Sequence, residues 1–332
     1  MKNHWEILVE YRRAGLCEVA KLGAVAWVSG NKLIHSHGGD ITTYGRSSVK
    51  PFHIKVFSKE LDKSLTWEQK AIGVSSHNAE PCHLELAKSI LRPSEQRLVQ
   101  TPHTLPLQQF GKQIRKPSRW YHTCSGEHSA LLRGCQLKGW PRVSYNLPTH
   151  PFHKGFIDVI RQTLGPQWSP QFIAKDGCNL PTVSFRLREL ATLFSSLAKN
   201  KDSDWVWEAM VRNPYLIGGM NRVDSIVMKA CMGQVVSKEG ADGLLCLGIR
   251  HADFPQGLGV AIKTAHGTDH QAVWYIARAI LASLDFSVRN PSPLRRQMPV
   301  VNPDILPPSL RPRIVGLSMR NEDEPVDDIW NA

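Results

Sequence analysis

The chain contains no long apolar run. None of its 332 residues lie in a stretch approaching the roughly 18 uninterrupted apolar positions of a membrane-spanning helix. Met1 to Tyr11 also lack an apolar signal core and a small-residue cleavage site, so a cytoplasmic, unexported protein is expected. Disulfide scaffolding is not expected either. The seven cysteines (17, 82, 124, 135, 178, 231 and 246) are odd in number and widely scattered. A reducing compartment follows, in which thiolates are available to metal. Acidic residues are few, 29 against 41 Lys plus Arg, a formal charge of +12. The basic residues are dispersed, however. Their densest patch is Lys112, Arg115, Lys116 and Arg119, without a basic arm or a nucleic-acid module. An acidic stretch, Glu322-Asp323-Glu324 with Asp327 and Asp328, opposes a uniformly basic surface. The charge is read as solubility and attraction of anionic solutes, with no nucleic-acid or membrane partner.

What is present is hydrophobic patterning of two periods. Ile7–Arg12, Cys17–Lys21, Ala24–Ser29 and Leu33–His37 are short β-prone runs divided by Ala14-Gly15 and by Gly23. From Ser48 the period becomes helical, with segments predicted near 49–60, 66–73, 83–91, 126–137, 152–163, 182–198, 204–212 and 222–232. Thr66 followed by Gln69 predicts a capping box. Gln234–Ser237, Leu244–Ile249 and Gly257–Lys263 again read as strands, followed by a helix over Gln271–Leu284. Prolines 291, 293, 299, 303, 307, 308 and 312 predict extended packing across a surface. The expected architecture is a single α+β domain over 1–332. Its β-rich parts, 1–45 and 234–265, form one mixed sheet, with a helical lobe about 48–232 and a proline-rich tail 286–332.

Five segments carry residues capable of chemistry. In Arg46-Ser47-Ser48-Val49-Lys50-Pro51, Ser47 and Lys50 stand three apart at a helix start, so the lysine amine can reach the serine. A neutral, desolvated lysine is an accepted base for a serine nucleophile. A helix-start serine with a solvated lysine would give the same pattern. Pro51 is tolerated in the first turn, where its missing N–H needs no partner. Ser75-Ser76-His77-Asn78 offers a second serine or merely a local turn, and Lys263 ends an apolar strand either way. Cys124-Ser125-Gly126-Glu127-His128 and Asp176-Gly177-Cys178 place thiols, a carboxylate and an imidazole that are competent zinc ligands, or two buried free cysteines.

Taken in order, these segments resemble the L-asparaginase II family, the class 3 or Rhizobium etli-type asparaginases. Lys238-Glu239-Gly240-Ala241-Asp242-Gly243 and Ala261-Ile262-Lys263 extend the resemblance, which covers roughly residues 5 to 330. It implies a serine β-lactamase or penicillin-binding-like fold and hydrolysis of L-asparagine to L-aspartate and ammonia. Carried over, it makes Ser47 the nucleophile, Lys50 its base, and Ser76 with Lys263 a second pair. Arg46, His77, His128 and Asp176 would line the substrate, and Cys124, Glu127 and Cys178 would hold zinc. A cytoplasmic homodimer is implied. The departure is Glu127, where the family pattern Cys-Ser-Gly-Lys-His carries a lysine. A carboxylate is an ordinary zinc ligand, but it adds negative charge that would repel a substrate carboxylate. Two alternatives stay open: a β-lactamase or transpeptidase-like acyl hydrolase, and a catalytically weakened relative with a binding or regulatory role.

Overall fold

Ala14 and Gly15 both take left-handed backbone angles, with φ of 45° and 87°, and so close a tight hairpin between β1 (Glu6–Arg13) and β2 (Leu16–Ser29). The computed structural model describes residues 4–106, 114–199, 205–288 and 298–314. Gly23, expected to separate two strands, instead lies inside the continuous β2. A Cβ there would stand 2.4 Å from both Leu8 Cδ1 and the Lys263 carbonyl oxygen. This glycine permits a close crossing of backbones, and no turn forms.

β3 (Lys32–His37) pairs with the second half of β2, and β4 (Thr42–Tyr44) leads into the helical region. That region holds α1 (Lys50–Lys55), α2 (Ser58–Ser64), α3 (Trp67–Val74), α4 (Pro81–Ser89), α5 (Ser125–Leu137) and α6 (Pro151–Leu164). The capping box at Thr66 forms in full. Its Oγ1 accepts from the Gln69 amide at 3.3 Å, and its own amide donates to Gln69 Oε1 at 3.1 Å. β5 (Ile173–Lys175) and β6 (Pro181–Arg186) join β4 in a small antiparallel sheet ordered β4-β6-β5. The helix expected from residue 182 therefore begins only at α7 (Leu187–Lys199). Thr182, Val183 and Phe185 are β-prone and pair with both neighbours first. Next come α8 (Trp205–Arg212), α9 (Pro214–Ile217) and α10 (Val223–Ala230). β7 (Val235–Gly240), β8 (Leu244–Ile249), β9 (Leu258–Thr264), α11 (His270–Ala282) and β10 (Met298–Val301) complete the order.

The main sheet is antiparallel, ordered β10-β1-β2-β9-β8-β7, so strands from both ends of the chain share it. Strand alternation splits its side chains between two cores. Ala24, Ala26, Val28, Cys246 and Ala261 face the helical lobe through α7, while Val25, Trp27, Leu245, Val260 and Ile262 face α11. The α7 side is built from small residues because the helix lies close: a Cβ on Gly259 would stand 1.8 Å from the Ala191 carbonyl oxygen. The proline-rich tail is packed as expected where it is described. Pro299 sits opposite Tyr11 on an edge strand, where its missing N–H is tolerated, and the Ile305 carbonyl accepts from Trp27 Nε1 at 2.9 Å. Lys112 of the basic patch and the acidic stretch 322–328 lie outside the described residues. Among the described residues, no helix is long and apolar enough to cross a membrane. The fold thus leaves β7 at an open sheet edge, facing the start of the helical lobe.

Candidate active site

Ser47 stands in a single 3-10 turn, Arg46–Val49, that packs on β7 and β8 just before α1. Arg46 adopts a φ of 48°, a strained conformation for a residue with a side chain. Several bonds hold it there. Its amide donates to Thr182 Oγ1 at 3.2 Å, its Nε bonds Asp176 Oδ1 at 2.8 Å, and its Nη1 pairs with Asp242. Asp176 therefore acts on the turn that carries Ser47, by way of Arg46.

Lys50 follows three residues later, with only 1% of its surface exposed. Its Nζ reaches past Ser47, donating to the Ser75 carbonyl at 2.6 Å, Cys124 Sγ at 3.1 Å and Ser76 Oγ at 3.2 Å, with Glu127 Oε2 at 3.5 Å. The recorded polar contact of Ser47 Oγ is a long one, 4.0 Å to Cys124 Sγ. Ser76 Oγ also accepts from a second lysine at 2.9 Å, and that lysine is Lys238.

Lys263 is placed elsewhere. Its Nζ donates to the carbonyls of Asp242 at 2.6 Å and Thr264 at 2.7 Å, and no hydrogen bond joins it to Ser76. The sheet order explains this. Lys238 lies on the edge strand β7, whereas Lys263 lies on β9, behind β8. Two strand spacings amount to roughly 10 Å. The signal for Lys238 was in the sequence. Ser47-x-x-Lys50, Ser76-His77-Asn78 and Lys238-Glu239-Gly240 match the S-x-x-K, S-x-N and K-x-G pattern by which penicillin-binding enzymes assemble a serine site. Asp224, which pairs with Lys238 at 3.2 Å with neither side chain exposed, had no such signal.

His77 is committed internally. Its Nδ1 accepts from the Ala79 amide at 3.0 Å, so Nε2–H donates to Ser125 Oγ at 2.9 Å, and no nitrogen remains for substrate. Burial, then the neighbouring His83, holds its pKa well below the usual imidazole value. It serves as a neutral strut behind Ser76. His128 bonds Tyr145 at 2.6 Å through Nδ1, while its buried Nε2 has no partner. Burial lowers its pKa to about 4.

Cys124 and Glu127 open α5 three positions apart, on one helix face, and Cys178 reaches them from a loop closed by the Asp176 amide on the Leu180 carbonyl at 2.8 Å. Their ligand atoms all lie within 4.8 Å of one another and all three residues are buried. Two sulfurs and one carboxylate form a donor set suited to zinc. Their charges are also held by protein groups: Glu127 Oε1 bonds His53 Nδ1 at 2.7 Å. A hydrogen bond from Cys178, helped by Lys50, drives the Cys124 pKa well below the usual thiol value. The same hydrogen bond and burial push Cys178 well up.

The two lysines are pushed in opposite directions. For Lys50, burial favours the neutral amine, but Cys124, Glu127 and Cys178 outweigh it and raise the pKa. For Lys238, burial, aided by Lys50, lowers the pKa while Asp224 opposes the fall.

The family model of L-asparaginase II matches residues 9–305. The chain belongs to the L-asparaginase II family, hydrolases that act on amides. A comparison with curated proteins gave no match.

Proposed function

We propose that this protein hydrolyses the side-chain amide of L-asparagine to L-aspartate and ammonia, through tandem serine–lysine pairs on a penicillin-binding-like fold. The observation that carries the reading is Ser76 Oγ, bridged by Lys50 and Lys238 beside the strained turn of Ser47, in a chain of this family. Ser47 attacks the amide carbon and Lys50 takes its proton. Ser76 with Lys238 delivers a proton to the departing nitrogen, and water then releases aspartate from the acyl-enzyme. Arg46, next to the nucleophile in sequence, is paired with Asp176 and Asp242 at the mouth of the site.

Cys124, Glu127 and Cys178 would hold zinc, and a divalent cation there would supply charge neutralisation. Without it, the anions around Lys50 favour the ammonium. Holding the lysine neutral near pH 7 requires about 4 kcal/mol, the equivalent of roughly three pKa units. Burial then acts in favour of the neutral base. The reading extends to a cytoplasmic homodimer, which sedimentation and cell fractionation test.

Ammonia release from asparagine and glutamine by purified protein is the primary test, with ring opening of a chromogenic β-lactam followed by absorbance alongside it. Turnover of asparagine is expected. Turnover of the β-lactam alone would reassign the site to the acyl hydrolases that share its three-segment pattern. Absence of turnover on all three would make the protein a weakened relative, with Glu127 the residue to examine.

A further inference from the structure

The start of α10 sends two charged side chains toward the site, and neither belongs to the three-segment pattern. Arg222, at its N-cap, donates to Asn78 Oδ1 at 3.0 Å and pairs with the Glu239 carboxylate at 2.9 Å. It ties the second segment to the third. Asp224, in the first turn and fully buried, gathers the donors of the third segment. Its Oδ1 accepts from Ser237 Oγ at 2.8 Å and the Glu239 amide at 2.9 Å, and its Oδ2 accepts from Lys238 Nζ at 3.2 Å. Burial draws the Asp224 carboxyl upward from the usual range, while Lys238, the Glu239 amide and Arg222 hold it back. The hydroxyl, amide and ammonium donors around it favour its ionised form against that burial.

Two ammonium donors would fix the direction of the Ser76 proton. A serine hydroxyl has two lone pairs and one proton. Two lysines donate to Ser76 Oγ, at 3.2 and 2.9 Å, which occupies both lone pairs and leaves the proton to point elsewhere. A neutral Lys238 would instead take that proton and end its use as an acid.

We propose that Asp224 is a positioning residue that fixes the Lys238 ammonium on Ser76, so that this pair donates a proton to the leaving amide nitrogen. The proposal rests on the serine–lysine reading above. The step balances. The Ser47 O–C bond forms as its proton passes to Lys50. The C–N bond breaks as Ser76 gives its proton to nitrogen and takes one from Lys238, and ammonia leaves. The Lys50 proton then refills Lys238 through Ser76. The charged groups facing Lys238 are Lys50 from α1, Glu239 from β7, and Arg222 and Asp224 from the start of α10. Glu239 is paired with Arg222 and contributes less, so Asp224 is the main anion that offsets Lys50 and burial.

The test is Asp224→Asn, which keeps shape and acceptor oxygen but removes the charge. Heteronuclear NMR of protein labelled at lysine Cε reads Lys238 directly, its signal assigned by loss in Lys238→Met. The Lys238 pKa is expected to fall by about 1–3 units. The alkaline limb of kcat/KM for asparagine should move to lower pH by the same amount, with kcat about 10- to 100-fold down. Asp224→Glu should restore the wild-type limb. An unchanged Lys238 titration in folded Asp224→Asn overturns the proposal, as does a pH profile that is merely scaled down. If Asp224→Asn does not fold, Asp224→Glu decides: a Lys238 titration displaced downward despite the retained charge overturns it, and an unmoved titration with reduced kcat supports it. The NMR measurement needs no turnover, so an inactive wild type would sink the asparaginase reading while still deciding what Asp224 does to Lys238.

Discussion

Replacing Lys238 and Lys263 separately by methionine distinguishes the two lysines that compete for the role of partner to Ser76. Lys238→Met removes an ammonium with no exposed surface and leaves the Asp224 carboxylate without its cation. Breaking one side of a buried ion pair costs about 3–5 kcal/mol. Loss of a general acid costs about 10²- to 10⁴-fold in rate. The stability deficit carries a pH signature. An unpaired buried Asp224 has a folded-state pKa raised above its unfolded value, so the folded state binds the extra proton. The variant thus gains stability as pH falls below that raised pKa and loses it as pH rises through it. Lys238→Met should therefore melt close to wild type in acid and well below it near neutrality. Lys238→Met/Asp224→Asn, with neither charge present, should recover most of the difference. Lys263→Met removes two hydrogen bonds to backbone carbonyls, at about 1 kcal/mol each, and a cation contact over the Trp5 ring at 5.9 Å, and should keep activity within about twofold. Calorimetric melting between pH 4 and 8, with steady-state ammonia release, measures both. Equal loss of activity in the two single variants would refute the assignment of Lys238, and a pH-independent stability deficit would refute the ion-pair argument.

Ser47→Ala should abolish turnover by at least about 10³-fold without lowering Tm, because nucleophile and base act as a unit and their losses are not additive. Near wild-type ammonia release would remove Ser47 from the nucleophile role. Elemental analysis of purified protein should find zinc near one equivalent, and Cys178→Ser should lose it, measured with a chromophoric zinc indicator; a metal-free wild type under zinc-replete expression would count against the site. Gly259→Ala should destabilise the fold by about 1–3 kcal/mol, because its Cβ would collide with the Ala191 carbonyl and push α7 off the sheet. An unchanged thermal midpoint would mean that α7 is free to shift.

Local signals carried much of the secondary structure because local physics decides it. The Thr66 capping box and the Ala14-Gly15 hairpin are settled by hydrogen bonds and backbone angles within a few residues. Where pairing partners come from far along the chain, local reading fails. Gly23 looks like a turn until β9 crosses it, and residues 182–186 look helical until β4 and β5 flank them.

The site divides the same way. Helical spacing set Lys50 beside Ser47 in the sequence, but its amine bonds Ser76 and Cys124 instead, and the three-segment pattern put Ser76 and Lys238 within reach of a sequence argument. Beyond that pattern, the choice between Lys238 and Lys263 was not local, since strand order decides which lysine lies at the edge facing Ser76. Asp224 was invisible in the sequence, where an aspartate early in a helix looks like an ordinary first-turn charge. Its meaning comes from packing α10 against β7, which buries that charge and gives it one cation to answer. By itself the sequence determined which chemical groups the protein has and the short-range geometry of neighbours; only the tertiary structure, by removing water and setting which strands adjoin, decided which of those groups act on one another.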